Sequence, residues 1–339
     1  MNMSMEQNCS LKLTTTSSVI LASLNGVSSF ITIIGNSIIL LALYKTPSLK
    51  KTTSNYFVGS LACADLSVGL FANSLYVALS GFVSLQEIQG LKNAETFVWL
   101  LTTTVTTFNL CFVAADRYVA IIHPLRYPEV ITTKRLFWAI ICMWIFALIF
   151  ATIPFYLPYS DLPKLWIAGS LVTFFFPLAV LFFCYCRIYL VVKEQNSRLK
   201  RQPTFDCSKP SVEKLKNRKV AITFAIMTGV FVALFLPTLV VNFLSMALQR
   251  QCHIVKLNIA WFWAAVVSFS SSAINPWIYA IRMTDFKRAI TALFSRALKT
   301  RHNIREWYQR RKEQTLIGKD ADWILKRESC GSCLMELNC

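Results

Sequence analysis

The sequence predicts an all-α membrane protein, a bundle of seven transmembrane helices followed by a short amphipathic eighth helix. Of the 339 residues, 55% are hydrophobic and 15% are charged, whereas soluble domains carry about 25% charged residues. Seven apolar windows are each long enough to cross a hydrocarbon core about 30 Å thick, and the short connections between them indicate a single bundle. The windows are Val19–Tyr44, Asn55–Phe82, Asn93–His123, Leu136–Leu157, Leu165–Val192, Leu215–Leu248 and Leu257–Ile281.

The third window organises the chain. Its first half is rich in threonine, and its second half contains Asp116-Arg117-Tyr118. Charges in mid-bilayer are costly, but this pair lies near the end of the window, where it can meet water or a partner protein. The first half therefore suits a small bound molecule, and the second half presents a charge. The alternative is that the two charges only mark the membrane surface.

The first two windows each carry polar residues among apolar ones. Gly35-Asn36 lies in the middle of the first window, and Asp65 is the only acidic residue deep within any window. A carboxylate inside a membrane is expensive without partners, so Asp65 is a candidate functional residue. The alternative is a protonated, hydrogen-bonded aspartate of the core.

Proline and aromatic residues mark the last four windows. A proline inside a helix removes a backbone hydrogen bond and kinks the helix, and such a kink can act as a lever. The marked residues are Trp144 and Pro154 in the fourth window, Pro177 and Tyr185 in the fifth, Phe231, Phe235 and Pro237 in the sixth, and Asn275, Pro276 and Tyr279 in the seventh.

The net charge of +18 is distributed unevenly between the two sides of the membrane. With the N-terminus outside, 30 of the 35 Lys and Arg residues fall on the cytoplasmic side. This bias predicts an outer N-terminus and an inner C-terminus, and a basic inner surface that suits anionic lipids rather than nucleic acid. We expect a plasma-membrane protein with an extracellular segment at 1–18, the bundle at 19–281, a membrane-surface helix at 282–298 and a disordered cytoplasmic tail at 299–339.

Several candidate modification sites lie outside the windows. Asn2 and Asn8 fit the glycosylation acceptor pattern. Cys9 and Cys252 are the two cysteines on the outer side, where a disulfide can persist, although spacing alone does not show that the sulfurs meet. Cys330 and Cys333 in the tail are candidate lipidation sites, with half a zinc site or an unmodified tail as the alternatives.

Taken together, these residues resemble the rhodopsin-like (class A) G-protein-coupled receptors over residues 29–294. Each helix contributes a short motif, in the expected order. The resemblance implies a receptor that passes an extracellular ligand signal to a heterotrimeric G protein, with arrestin and a receptor kinase as further partners. It implies no enzymatic activity, and no phosphate-binding loop, metal-ligand helix motif or nucleophile elbow is present.

The resemblance also assigns roles to individual residues. Arg117 resembles the arginine that inserts toward the G protein, and Asp116 resembles the acid that holds it in the inactive state. The implied coupling switch comprises Asp116, Arg117, Tyr118, Tyr185, Phe231, Phe235, Pro237, Asn275, Pro276 and Tyr279. The implied site for an allosteric sodium ion comprises Asp65, Thr106, Ser271 and Asn275.

The chain departs from the family pattern at three positions. Lys92 stands where members carry a disulfide cysteine, Phe235 where tryptophan is usual, and Asn217 where many members place an acid that latches Arg117. Without that acid, we expect raised basal activity. The missing disulfide and short second outer loop are similar to melanocortin, cannabinoid and lysophospholipid receptors, and the polar pocket residues to adenosine receptors, so the branch stays open.

The pocket positions bear on the ligand. Trp99 stands where the amine-receptor subgroup carries an aspartate, and Phe269 where opsins carry the retinal lysine. We therefore expect a small neutral, nucleoside-like or lipid ligand, or a peptide, rather than a monoamine. The candidate lining residues, each of which could instead serve helix packing, are Tyr76, Trp99, Thr103, Phe235, Asn242, Ser268 and Phe269.

A second function class is an ion-coupled transporter or channel. Asp65 on a threonine-rich core could suit ion passage, but the internal repeats and paired broken helices of transporters are not apparent. A receptor should lose coupling on Arg117→Ala, whereas a transporter should show flux that depends on Asp65.

Overall fold

Seven helices among the residues that the structure describes are long and apolar enough to cross a membrane. The computed structural model describes residues 13–158, 162–201, 212–248, 251–296, 298–299, 301 and 303–307, and no strand occurs among them. The predicted all-α, seven-helix fold class is confirmed. The helices are α1 (Thr15–Lys45), α2 (Asn55–Gly81), α3 (Gln89–Ile122), α4 (Thr133–Phe155), α5 (Leu162–Ser170, Leu171–Phe175 and Phe176–Arg201), α6 (Val212–Ala247) and α7 (Gln251–Arg282).

Local signals fix several helix ends. The Thr14 side chain accepts a hydrogen bond from the Ser17 amide at the start of α1, and Thr132 caps α4 through the Arg135 amide. Pro47 disfavours the helical backbone conformation at the preceding residue, and Thr46 is accordingly extended and caps the end of α1. Short helices at Pro47–Lys50 and Tyr127–Val130 form the connections after α1 and α3, and a 3₁₀ helix at Val83–Glu87 precedes α3.

Helix α3 lies at the centre of the bundle. It packs against α2, α4, α5 and α6, while α1 packs against α2 and α7, and α6 against α7. About 72% of the most apolar stretch of α3 is buried, compared with 28% for α1 and for α4. Large apolar side chains such as Phe30, Ile149 and Phe182 are exposed on the outer helices, as a surface in contact with lipid requires.

Close helix contacts explain the Gly35-Asn36 pair. A Cβ atom on Gly35 would lie 2.8 Å from Pro276 Cγ, so only glycine allows α1 to approach α7 this closely. The Asn36 amide donates to the Ser272 carbonyl oxygen at 3.3 Å. Trp144 on α4 is likewise tied to α2, because its indole N–H donates to Ser60 Oγ at 3.2 Å.

Two helices contain π-helical turns that the sequence pattern did not predict. Val68–Asn73 widens α2, and Leu171–Phe175 widens α5. A π-helical turn leaves carbonyl groups without their usual partners, and Ser29 Oγ on α1 donates to the Gly69 carbonyl oxygen at 2.8 Å. Both turns fall in apolar stretches whose composition does not distinguish them from α-helix.

The seven spans belong to a unit that ends at Lys287, and a second unit begins at Arg288. Residues 284–296 are helical, and we call them α8. The disordered tail predicted at 299–339 falls mostly outside the described residues.

Candidate functional site

A cavity of about 670 Å³ lies between α3, α5, α6 and α7. This volume is within the range of small-molecule sites, about 300–1,000 Å³. Its wall combines aromatic and aliphatic side chains with a few polar groups. We call it the outer cavity, and its lining residues are Glu95, Thr96, Trp99, Trp166, Ile167, Val241, Asn242, Ser245, Met246, Leu257, Asn258 and Trp261.

Two smaller cavities share Trp99, Thr103 and Phe235 with each other. The first, of about 30 Å³, also contacts Asn242, whose amide donates to Ser170 Oγ at 3.2 Å. The second, of about 20 Å³, is lined by Thr106, Ser268, Phe269 and Ser271 among others. The predicted pocket residues Trp99, Thr103, Phe235, Asn242, Ser268 and Phe269 therefore all line cavities.

Tyr76 and Glu95 occupy a different arrangement from the one expected for the pocket. Tyr76 is only 1% exposed, and its hydroxyl donates to Glu95 Oε1 at 2.6 Å. The indole N–H of Trp261 lies 2.9 Å from the Tyr76 hydroxyl and 3.0 Å from Glu95 Oε1. Sequence reasoning missed Glu95 and Trp261 as pocket residues. The sequence did contain one signal for Glu95, because it lies one helical turn before the predicted pocket residue Trp99 on the same face of α3.

A series of stacked rings leads from the outer cavity into the bundle. Trp99 stacks on Phe235 with ring centroids 5.6 Å apart, and Phe235 stacks on Phe231 at 5.4 Å. Phe174 on α5 also stacks on Phe235, with ring centroids 5.4 Å apart. Ser268 on α7 donates to the Leu234 carbonyl oxygen at 3.1 Å, in the turn that precedes Pro237. Phe235 thus joins α3, α5 and α6 below the cavity.

Asp65 is fully buried in the middle of the bundle. Its Oδ2 accepts a hydrogen bond from the Asn275 amide at 2.8 Å, which ties α2 to α7. Its Oδ1 has no hydrogen-bond partner within the described part of the chain. Such an orphaned carboxylate oxygen is costly, so a further polar partner at this atom would stabilise the site.

The four residues predicted to bind sodium form two pairs. Asp65 and Asn275 are bonded to each other, and Thr106 and Ser271 both line the 20 Å³ cavity, which Asp65 does not border. That volume accommodates about one water molecule or small ion. An unpartnered carboxylate oxygen is a ligand that suits a hard cation, but neither Asp65 nor Asn275 lines the cavity that Thr106 and Ser271 border, so the four-residue sodium site stays a prediction.

Arg117 is held inside the protein at the inner end of α3. It is 3% exposed and forms an ion pair with Asp116, to which its Nε and Nη2 donate. Its Nη2 also donates to Ser54 Oγ at 2.5 Å. The Tyr127 hydroxyl donates to the other carboxylate oxygen of Asp116 at 2.9 Å. Both carboxylate oxygens of Asp116, and Nε and Nη2 of Arg117, are thereby engaged within the chain.

Burial and the nearby Asp116 carboxylate raise the pKa of Tyr127 to about 12. The hydroxyl therefore keeps its proton at physiological pH and remains a donor to Asp116. Tyr127 therefore adds no pH dependence to the restraint on Arg117 between about pH 6 and 9.

A second large cavity, of about 610 Å³, opens beside Arg117. We call it the inner cavity. Asn217 on α6 lines it together with Arg117, and no carboxylate occupies position 217. The other cationic lining residues are Lys51, Lys219 and Arg282, against one acid, Asp285. This surface is suited to an anionic or hydrogen-bonding protein segment.

The remaining predicted switch residues lie around the inner half of the bundle. The Tyr185 hydroxyl is 3.4 Å from Thr228 Oγ1 on α6. Tyr279 is fully buried and stacks on Phe286 with centroids 5.9 Å apart, and its hydroxyl has no hydrogen-bond partner among the described residues. The Tyr118 ring packs against Phe183 on α5, with ring centroids 5.9 Å apart. Pro276 lies inside α7, against Gly35.

Some predicted modification sites fall outside the described residues. These are Asn2, Asn8, Cys9, Cys330 and Cys333, together with the side chain of Cys252. The disulfide, glycosylation and lipidation at these positions stay predictions. Lys92, where the family disulfide cysteine was expected, is an exposed residue of α3.

Comparison with known proteins identifies the family. The family described as "7 transmembrane receptor (rhodopsin family)" matches residues 35–279. Similar proteins include an alpha-1A adrenergic receptor of Oryzias latipes, 25% identical over 83% of this chain and 68% of its own length, and a histamine H2 receptor of Canis lupus familiaris, 28% identical over 81% and 79%. An adenosine receptor A2b of Bos taurus is 29% identical over 81% of this chain and 89% of its own length.

These relatives are receptors, and their family is not enzymatic. The match spans all seven helices, from Gly35 on α1 to Tyr279 on α7, and it includes both the central carboxylate and the inner Asp116–Arg117 pair. The chain belongs to the rhodopsin family of seven-transmembrane receptors, which signal through G proteins.

Proposed function

We propose that this receptor detects a small organic ligand in the outer cavity and that binding releases Arg117 to contact a G protein in the inner cavity. One observation carries the proposal: the stacked series Trp99–Phe235–Phe231 begins at the outer cavity and runs along α6 toward the inner half. A ligand that displaces the Trp99 ring changes the packing of Phe235. Since Phe235 also contacts α5, that change bears directly on how α6 packs.

In the proposed active state, the inner end of α6 moves outward and enlarges the inner cavity. Arg117 then exchanges its bonds to Asp116 and Ser54 for bonds to the G protein, and Tyr185 and Tyr279 turn inward. By linkage, a bound G protein raises ligand affinity by the same factor by which the ligand raises G-protein affinity. Arrestin and a receptor kinase, which bind active receptors of this family, are proposed to use the same inner face.

We propose the ligand class from the residues that line the outer cavity. Relatives of this chain include receptors named for adrenergic ligands, histamine and adenosine. The sequence favoured a neutral, nucleoside-like, lipid or peptide ligand because Trp99 supplies no counter-ion. Glu95, however, borders the same cavity one turn earlier on α3. The proposed ligand therefore has an apolar or aromatic body and at least one polar head group.

The proposed orientation places the N-terminus outside and the C-terminus in the cytoplasm of a plasma-membrane protein. The positive-inside bias supports it, and so does the position of Arg117 and its basic cavity, which must face the G protein. Sodium is proposed to act as an allosteric ion at Asp65, Thr106, Ser271 and Asn275, where it would supply positive charge to the Asp65 carboxylate. The transporter or channel alternative has no support from the relatives.

The test is nucleotide exchange on purified heterotrimeric G proteins by the full chain reconstituted in lipid nanodiscs. We expect exchange above that of empty nanodiscs even without ligand, because Asn217 provides no acid to latch Arg117. Arg117→Ala should abolish it, while Arg135→Ala, which removes an exposed arginine on α4, should leave it unchanged. Exchange equal to that of empty nanodiscs for every G-protein class, with ligand libraries present, would refute the proposal.

A further inference from the structure

The Glu95 side chain lines the outer cavity, and only one of its two carboxylate oxygens is hydrogen-bonded by the described residues. Its Oε1 accepts hydrogen bonds from the Tyr76 hydroxyl and the Trp261 indole N–H. Its Oε2 has no hydrogen-bond partner among the residues that the structure describes. An ionised carboxylate has about four acceptor positions. The two donors therefore fix the orientation of the group and leave one oxygen available to a molecule in the cavity.

Aromatic rings surround this carboxylate. Trp99 and Trp261 both line the outer cavity, with ring centroids 4.7 Å apart. Behind them, Tyr76 packs edge-on against Phe269 at 5.2 Å and against Phe262 at 5.6 Å. The faces of tryptophan rings attract organic cations within about 6 Å. A carboxylate oxygen beside two indole rings is therefore a site for a cation rather than for an anion.

Glu95 forms no ion pair among the described residues. Lys92, one turn closer to the start of α3, acts on Glu95 electrostatically, but it is exposed and forms no ion pair with Glu95, so solvent screens much of its charge. A partly buried carboxylate without a cationic partner lowers stability. A ligand that supplies the missing positive charge is bound more tightly for that reason.

We propose that Glu95 is the counter-ion for a ligand that carries a protonated amine or another compact organic cation, held between Oε2 and the faces of Trp99 and Trp261. This inference rests on the proposed use of the outer cavity as the ligand site. It replaces the preference for a neutral ligand that was based on Trp99. The carboxylate is one helical turn nearer the outer end of α3 than position 99, so the cation lies correspondingly close to the cavity mouth.

The first experiment measures the electrostatic potential of the cavity without a ligand. Asn258 is exposed and lines the cavity on α7, and Asn258→Cys gives a thiol there. The probes are a cationic (ethyltrimethylammonium) and an anionic (ethylsulfonate) methanethiosulfonate, with the rate of the parent chain subtracted. We expect the cationic reagent to react faster, and Glu95→Gln to lower the ratio of the two rates on the order of tenfold.

The matched control is Glu87→Gln, which removes the same charge from an exposed outer position that does not line the cavity. It should leave the ratio unchanged. A ratio that is the same with and without Glu95 would overturn the inference, because the carboxylate would then be neutral or turned away from the cavity.

The second experiment measures binding by the full chain in nanodiscs. The probes are 2-phenylethylamine, its 4-hydroxyphenyl and indolyl analogues, and the three alcohols with the same carbon skeletons. We expect the amines to raise the thermal unfolding midpoint more than the alcohols do, and Glu95→Gln to remove that difference, with at least about a tenfold loss of amine affinity. Amines that stabilise the parent no more than the alcohols, or a difference that survives Glu95→Gln, would overturn the inference.

A third variant covers the case in which Glu95→Gln does not fold. Glu95→Asp keeps the charge and shortens the side chain, so amine binding should weaken by several-fold, and unchanged amine affinity would also overturn the inference. The effect of Arg117→Ala on nucleotide exchange is measured independently of the amine experiments. If that dependence holds while the amine experiments fail, the role of Glu95 is refuted and the receptor function stands.

Discussion

The indole ring of Trp99 on α3 stacks on the phenyl ring of Phe235 on α6, with centroids 5.6 Å apart and planes 21° from parallel. Trp99 is part of the cavity wall, and Phe235 lies two residues before Pro237 in the helix that must move. A displacement of one ring therefore changes the packing of the other. The pair connects the ligand-facing surface to α6 by direct contact.

We expect Phe235→Ala to uncouple the outer cavity from the inner one. The substitution removes stacking with Trp99, Phe174 and Phe231, and truncation of a buried phenylalanine typically costs about 3–5 kcal/mol. The thermal unfolding midpoint should fall, and G-protein binding should no longer change affinity at the outer cavity. Phe182→Ala, at an exposed site on α5, should do neither, and equal effects of the two variants would count against the coupling role.

Tyr127→Phe should raise basal nucleotide exchange. The hydroxyl of Tyr127 donates to Asp116 Oδ1 at 2.9 Å, and a hydrogen bond to a charged group contributes about 1.5–3 kcal/mol. Without it, Asp116 holds Arg117 less firmly, and the population with Arg117 released should rise by about tenfold. Tyr189→Phe removes a hydroxyl from an exposed position on α5 and serves as the control.

The same restraint should be insensitive to pH in the physiological range. Because the pKa of Tyr127 is raised to about 12, the protonated donor persists, and its contribution would be lost only as the pH rises from about 10 toward 12. The ratio of basal exchange between Tyr127→Phe and the parent should therefore be constant from pH 6 to 9. A ratio that changes steadily across this interval would show that another titrating group controls Arg117.

Asp65→Asn should abolish a sodium-specific stabilisation. The unpartnered Oδ1 of Asp65 supplies the charge that a bound cation needs, and a ligand at ten times its dissociation constant adds about 1.4 kcal/mol. The unfolding midpoint of the parent should be higher in sodium chloride than in potassium chloride of equal ionic strength, and that of the variant should be the same in both. Equal midpoints for the parent would remove the case for an allosteric sodium ion.

Gly35→Ala should destabilise the bundle, because the added Cβ would lie 2.8 Å from Pro276 Cγ. Overpacking of this kind costs about 1–3 kcal/mol. Gly26→Ala on the same helix is the matched control, since its Cβ would meet only Val77 at an ordinary distance of 4.0 Å. Purified protein in nanodiscs should show a lower unfolding midpoint for the first variant only. Similar midpoints for both would mean that α1 and α7 can separate without cost.

Much of the architecture could be predicted from the sequence, because a membrane span needs about 20 apolar residues and seven such windows are present. The family resemblance implied that Asp116 holds Arg117 and that Asp65 and Asn275 share a site, and in the structure the members of each pair are in direct contact. The roles assigned to the site residues beyond these contacts stay predictions.

Other features depend on tertiary contacts that a single sequence does not display. The π-helical turns at Val68–Asn73 and Leu171–Phe175 have no compositional signature, and Ser29 completes the first of them from 40 positions away. The bond between Glu95 and Trp261 joins residues 166 positions apart. For this reason the sequence alone did not identify Glu95 and Trp261 as cavity residues.

The central claim is that α6 opens the inner cavity when the G protein binds. Thr52 and Lys219 are exposed and both line this cavity, in the connection after α1 and on α6 respectively. Spin labels at Thr52→Cys and Lys219→Cys, in a background corrected for native cysteines, report their separation by pulsed electron resonance. The account predicts a distribution that shifts by several ångströms to longer distance when nucleotide-free G protein is added, and a shift that Arg117→Ala prevents. A distribution that does not change on G-protein binding would contradict it.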